Sequence, residues 1–200
     1  MLRVGLTGGL ASGKSFVGQT LAQLGCHLVK ADELGHAVLL PGAEAYDAVL
    51  REFGREILSP DGFIDRRRLG ALVFADPEKL ERLNQIVHPL VIRREEELIA
   101  AAAQQDPHGI AVVEAAILIE TGSYRRFDKI ILAVCSEAEQ IERAMRRDNL
   151  TREEVLARLR RQMPLEEKKK YADFIIDTSG AKNYTAEQTR RVFETLRGLK

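Results

Sequence analysis

A chain of 200 residues, 45% of them hydrophobic, has the length for one domain with a small insertion and the apolar content for a sizeable core. Its formal net charge of +0 argues against a dedicated nucleic-acid binder, whose footprint is a large basic excess, and no apolar run approaches the length of a membrane span. The two cysteines, Cys26 and Cys135, have no metal-ligand spacing and no signal peptide precedes the first strand-like run, so a reduced, cytoplasmic protein is expected.

In chain order, LRVGLT (2–7) reads as a strand, followed by a glycine-rich turn and a helical pattern over 14–24. CHLVKA (26–31) is the second strand, and helical patterns follow over 32–40, 44–53, 66–74 and 77–104. GIAVVEA (109–115) and KIILAVC (129–135) are further strands, then come helices over 137–147 and 151–162, the strand DFIIDT (173–178) and a helix over 183–198. The strands are short and apolar throughout, as strands covered on both faces are. The β-α rhythm predicts an α/β, three-layer fold around a five-stranded parallel sheet. Residues 35–105 hold no clear strand and are too long for one crossover, so they read as a helical insertion, with SPDGF (59–63) and ADP (75–77) as turns inside it. The core is then expected over about 1–34, 106–147 and 172–200, with a lid over about 148–171.

The stretch Gly8-Gly9-Leu10-Ala11-Ser12-Gly13-Lys14-Ser15 fits G-x-x-x-x-G-K-[ST] between a strand and a helix. Glycines let the backbone approach phosphates closely, and amides of the loop and of the first helical turn, through Phe16, converge on an anion. Lys14 would reach the β- and γ-phosphates and the Ser15 hydroxyl would ligate Mg²⁺. The expected ligand is ATP with magnesium, on a P-loop NTPase-type fold. A P-loop specifies no reaction, and a GTPase would need a guanine-reading N-K-x-D or T-K-x-D, which is absent.

Asp32 stands at the carboxyl end of the second strand, the edge where open α/β sheets gather ligands. There it either orients an attacking hydroxyl and accepts its proton, or caps a helix starting at Glu33. Residues 143–170 carry ten basic and five acidic side chains, a concentration of positive charge on a neutral chain. Part of it can be a solvated face with pairs such as Glu154 with Arg158. As a whole it suits a lid that excludes water and neutralises phosphoryl charge. Arg143 and Arg147, four residues apart, are placed to reach one site together, and Thr151 with Glu154 forms a capping box for a second lid helix. A kinase for another small molecule and a nucleotide-dependent switch share parts of this pattern.

Taken together, GLTGGLASGKS, VKADELGHAV (29–38), LNQIVHPLVI (83–92), AAILIETG (115–122), RAMRRDNLTREEVLARLRRQ (143–162) and ADFIID (172–177) resemble the dephospho-coenzyme A kinase family. The chain departs from the family pattern at Ala11, where glycine is usual, at Lys30, where an aspartate is usual, at Glu114 and Ala115, near a frequent proline, and at Thr178, where asparagine is common. The resemblance implies ATP-dependent phosphorylation of the ribose 3′-hydroxyl of dephospho-coenzyme A, the last step of coenzyme A synthesis. It implies Lys14, Asp32, Arg143 and Arg147 as catalytic residues and Gly8, Gly9, Ala11, Ser12, Gly13, Lys14, Ser15 and Phe16 as the nucleotide site. His88, before Pro89, and Asp32 fall on the substrate side; bottom-up, a His before Pro is most often a turn or helix-start residue. Arg66, Arg67 and Arg68 either meet substrate phosphates or solvate a face, while Glu120 and Asp173 tie down loops. The expected partner is the small-molecule substrate alone, bound by a monomer or weak homo-oligomer.

Overall fold

The alternating apolar and amphipathic runs fold, in the computed structural model of the chain, as a sheet with helices between its strands; the structure describes Met1 through Leu199. The elements are β1 (Leu2–Gly8), α1 (Lys14–Gln23), β2 (His27–Lys30), α2 (Ala31–Ala37), α3 (Tyr46–Phe53), α4 (Arg66–Phe74), α5 (Pro77–Gln105), β3 (Ile110–Glu114), β4 (Lys129–Val134), α6 (Glu137–Asp148), α7 (Arg152–Leu159), α8 (Leu165–Lys168), β5 (Phe174–Asp177) and α9 (Lys182–Arg197). The five strands are all parallel, in the order β2-β3-β1-β4-β5. Leu6 of β1 lies in register with Glu114 of β3 and with Ile131 of β4, and Gly8 with Ala133. Winding reverses at β1, so the carboxyl edge of the central strands is the place where such sheets hold ligands.

The chain divides into two compact units, one of Met1–Lys30 with the part from Ile99 onward, the other of Ala31–Leu98. In the first, strand alternation and the i, i+4 helix period build one core. Val4 and Leu6 of β1, Ile110 and Val112 of β3, Ile131 and Ala133 of β4 and Ile176 of β5 pack with Val17 and Leu21 of α1 and Phe193 and Leu196 of α9. Burial of each large side chain there contributes about 1.5–3 kcal/mol. A second apolar cluster joins Ile141 and Ala144 of α6 to Val155 of α7, with Leu10, Ala11, Leu150, Leu156 and Leu159 packed against it.

The connection between α6 and α7 follows local rules. Asn149 takes the left-handed conformation (φ 52°) that ends a helix, and Thr151 and Glu154 form the expected capping box. Glu154 accepts at a carboxylate oxygen from the Thr151 N–H, at 2.7 Å, and Arg158 lies 3.9 Å from Asp148. The helix expected over 151–162 stops at Leu159, and a separate short helix, α8, follows Pro164.

In the second unit, Ser59 N–H donates to the Phe63 carbonyl at 2.9 Å, closing the SPDGF turn, and Asp65 caps α4 by accepting from Arg67 and Arg68 N–H groups. Asp76 caps α5 from its side chain, and Pro77 takes the first helical position, where no N–H is needed. Pro89 sits inside α5, so His88 is a mid-helix residue and not the turn or helix-start residue that X-Pro suggests. The unit buries Val38, Val49, Phe53, Ile57, Leu69, Val73 and Val91.

Candidate active site

The glycine-rich loop leaves the central strand at Gly8 and enters α1 at Lys14. Gly13 holds φ 82°, a left-handed conformation, and a Cβ there would come within 2.9 Å of Thr178. A Cβ at Gly9 would stand 2.3 Å from Nε2 of Gln140, whose side chain would have to shift, and one at Gly8 would stand 2.8 Å from the Ala133 carbonyl. Ala11 also takes a left-handed φ, 53°, which costs an alanine about 1–2 kcal/mol. Within the loop, Ser12 N–H donates to the Gly9 carbonyl at 3.1 Å, and Ser12 is buried. The amino end of α1 supplies the first-turn N–H groups that favour an anion.

Three of the residues meet at the carboxyl end of β3. The Ser15 hydroxyl donates to Oε1 of Glu114 at 2.5 Å, and Nζ of Lys14 lies 3.5 Å from the same oxygen. Glu114 is 4% exposed, and its Oε2 is buried without a hydrogen-bond partner. The Ser12 hydroxyl and Nε2 of Gln140 are likewise buried without a partner. A buried carboxylate needs cations or donors around it, and here a lysine and a serine hydroxyl stand at its Oε1 at the end of an anion-binding loop, while Oε2 faces Gly18 of α1. Sequence reading missed Glu114, treating it only as a departure from a family pattern. The signal was present: an acidic residue closing a strand whose other residues are apolar.

Thr178 was also missed. Its hydroxyl donates to the Ser12 carbonyl at 2.7 Å, and the hydroxyl and carbonyl of Thr178 accept from Arg143 at 3.2 and 2.8 Å. Arg143 further donates to Glu139 at 3.1 Å, so it sits one residue behind the phosphate loop. Arg147 instead forms two bonds to Asp148, at 2.7 and 2.9 Å. That bidentate pair raises the Arg147 pKa and, with the Arg147 hydrogen bond as the main cause, holds the Asp148 carboxyl below its ordinary value. The two arginines expected to act on one site are therefore held by different partners in this structure. Phe16, in the first turn of α1, lies with its ring 5.7 Å from Nζ of Lys182. Cys135 is buried, and burial pushes its thiol pKa up, in keeping with a reduced core cysteine.

In the second unit, α2 begins at Ala31, so Asp32 is a first-turn helical residue and not the cap of a helix starting at Glu33. It follows β2 directly. One turn on, burial and then Arg66 lower the pKa of His36, against the opposing pull of Asp32 and Glu33. His88 on α5 is half-buried, and burial lowers its pKa, which favours the neutral imidazole. Arg68 donates to the carbonyls of Leu58 and Glu56, at 2.7 and 3.4 Å, and so fastens the SPDGF turn. Glu120 and Asp173 tie down loops as expected: Glu120 accepts from the Met163 N–H, and Asp173 from the Ile130 N–H and Lys129. No group of three or more His, Cys, Asp or Glu among the described residues is placed to hold a metal ion by itself.

The sequence profile of dephospho-CoA kinase matches residues 2–183. The dephospho-CoA kinase of Aquifex aeolicus is 39% identical over 196 residues, covering 98% of each chain. Among solved structures, a Thermus thermophilus protein matches with a TM-score of 0.84 at 33% identity, over 100% of this chain and 98% of that one. Dephospho-CoA kinase from Campylobacter jejuni matches with a TM-score of 0.68 at 27% identity, over 98% and 97% of the two chains.

Proposed function

The chain belongs to the dephospho-CoA kinase family, and from that premise we propose how its own residues carry out the transfer. The reaction moves the γ-phosphoryl group of ATP to the ribose 3′-hydroxyl of dephospho-coenzyme A, giving coenzyme A and ADP, the last step of coenzyme A synthesis. The observation that carries the residue assignment is the convergence of Lys14 and Ser15 on buried Glu114 at the end of the glycine loop. Backbone amides of residues 8–16 take the phosphates, and Lys14 leaves Glu114 to meet the β- and γ-oxygens as the nucleotide enters.

The residues also fit magnesium. The Ser15 hydroxyl and the unpartnered Oε2 of Glu114 are the hard oxygen donors such a cation takes, one of them anionic. When bound, the ion would neutralise charge on the β- and γ-phosphates.

Asp32 orients the 3′-hydroxyl for in-line attack and accepts its proton. His88, kept neutral by burial, offers the acceptor a hydrogen bond and no charge. Arg143, already tied through Thr178 to the carbonyl of Ser12, stays beside the loop, and Arg147 leaves Asp148 to add a second positive charge on the transferring group. The even balance of charge and the buried free cysteines support a cytoplasmic enzyme, monomeric or weakly associated, that acts on small molecules without nucleic acid or membrane. No described helix is long and apolar enough to cross a membrane.

The test is ADP release from Mg·ATP with dephospho-coenzyme A, AMP or adenosine as acceptor. Stimulation by dephospho-coenzyme A with coenzyme A as product is expected; turnover only with another acceptor overturns the substrate assignment. Asp32→Asn should bind ATP nearly as well and turn over about 10²-fold or more slowly, the scale of a general base. A variant close to wild type in turnover removes Asp32 from the chemistry.

A further inference from the structure

A chain of contacts outside the reacting groups fastens the root of the lid to the phosphate loop. It begins at Lys168 in α8, the largest fully buried side chain among the described residues. Its Nζ lies 2.8 Å from Oε1 of Glu120 and donates to the Ala116 carbonyl at 3.1 Å. The same Glu120 oxygen accepts from the Met163 N–H at 3.2 Å. The neighbouring residue, Gln162, reaches back to the phosphate loop, where its Oε1 accepts from the Leu10 N–H at 2.8 Å.

Burying an ammonium group costs several kcal/mol, and a well-packed apolar residue of the same volume would often hold a fold as well. What the pair adds is direction: it fixes the backbone at Met163 and with it the start of the Gln162 side chain. The loop shows why that direction matters. Ala11, next to Leu10, stands at φ 53°, a conformation alanine does not keep without support. Support comes from two sides. Leu10 and Ala11 pack against Ile141, Ala144 and Val155, and the Leu10 N–H is held by Gln162.

We propose that Gln162 is a positioning residue for the phosphoryl donor, holding the Leu10–Ala11 turn of the phosphate loop in its binding shape, and that the buried Glu120–Lys168 pair serves to hold Gln162 in place. The inference rests on the assignment of residues 8–15 to ATP. The tether joins the two ends of the phosphoryl site: whatever displaces the lid root also loosens the loop.

The experiment uses the full chain and a non-hydrolysable Mg·ATP analogue in titration calorimetry, beside steady-state kinetics and thermal melts. Gln162 is half-buried, so Gln162→Leu should melt within a few degrees of wild type. It should bind the analogue roughly five- to tenfold more weakly, the worth of one hydrogen bond, and raise the KM for ATP alike. The KM for dephospho-coenzyme A should stay within about twofold, a split that a general loss of stability would not produce. Lys168→Met should weaken the analogue in the same direction, and the double variant should bind no worse than the weaker single variant. Analogue binding by Gln162→Leu within twofold of wild type overturns the proposal, as do losses that multiply in the double variant. If Lys168→Met does not fold, Gln162→Leu decides alone. A wild-type chain that fails to bind the analogue removes the donor-site reading itself, and the tether with it.

Discussion

Glu114→Gln probes the one buried carboxylate at the glycine loop, and its effects can be worked out bond by bond. The Ser15 hydroxyl gives Oε1 a 2.5 Å hydrogen bond. Bonds to charged acceptors are worth about 1.5–3 kcal/mol and neutral ones about 1, so the amide loses roughly 1 kcal/mol there. Lys14 also loses a counter-charge at 3.5 Å, with its own side chain 16% exposed and that of Glu114 5% exposed. Breaking a fully buried pair costs about 3–5 kcal/mol, but Lys14 has water and further contacts, so about 1–2 applies here. Against these losses, neutralising a carboxylate whose Oε2 has no partner returns about 1 kcal/mol of desolvation. The net is about 1–2 kcal/mol of destabilisation, a fall in Tm of roughly 2–8 °C for a chain of this size. Function should suffer more than stability. An anionic donor is lost from the proposed magnesium site, and the magnesium concentration giving half-maximal rate at saturating ATP and acceptor should rise about tenfold or more. The assays are melting without nucleotide and a magnesium titration of turnover. An unchanged titration midpoint refutes a metal role for Glu114, and a Tm above wild type shows that the burial cost outweighs the bonds counted above.

Two further substitutions test the loop and the helical unit. Gly13→Ala imposes a left-handed φ on alanine and drives its Cβ to 2.9 Å from Thr178, displacing the hydroxyl that holds the Ser12 carbonyl. The combined cost is about 3–4 kcal/mol, a Tm loss of about 10 °C, and a melt within 3 °C of wild type contradicts it. His88→Asn tests the burial of the imidazole. The folded-state pKa lies below the ordinary value of 6.5, so as pH falls through that value the unfolded chain takes up the proton first and the folded state loses stability. Wild type should therefore lose more Tm than His88→Asn between about pH 7.5 and pH 5.5, and equal losses in the two proteins refute the assignment.

What the sequence showed and what it hid divide along a physical line. Strands, helix caps and the glycine loop depend on neighbours in the chain, and these were readable. The apolar runs became the five strands, and Thr151–Glu154 became a capping box. The contacts that give the loop its surroundings join residues far apart in sequence. Ser15 meets Glu114 across 99 positions, Leu10 meets Gln162 across 152, and Thr178 meets Ser12 across 166. Nothing in the residue types alone chooses those partners. The two α6 arginines show the same limit in reverse. Spacing placed Arg143 and Arg147 on one helix, but each guanidinium took the nearest good acceptor, Thr178 with Glu139 for one and the adjacent Asp148 for the other.

Ala11 joins these threads. Glycine would take the left-handed turn at this position free of strain, and this chain places a methyl group there at φ 53°. The penalty of about 1–2 kcal/mol must be offset by what the loop packs against. Two gains oppose it. Alanine leaves the unfolded chain less freedom than glycine would, worth about 0.4–1 kcal/mol. The methyl also packs with Leu10 against the cluster of Ile141, Ala144 and Val155, and a buried methyl contributes up to about 0.8 kcal/mol. The sum lies close to balance only while α6 and α7 stay packed on the loop. With glycine at position 11 the turn would need no such support. In this chain the loop's conformation is conditional on α6 and α7, and the Gln162 contact at Leu10 places a polar hold on the same turn from the segment that follows α7.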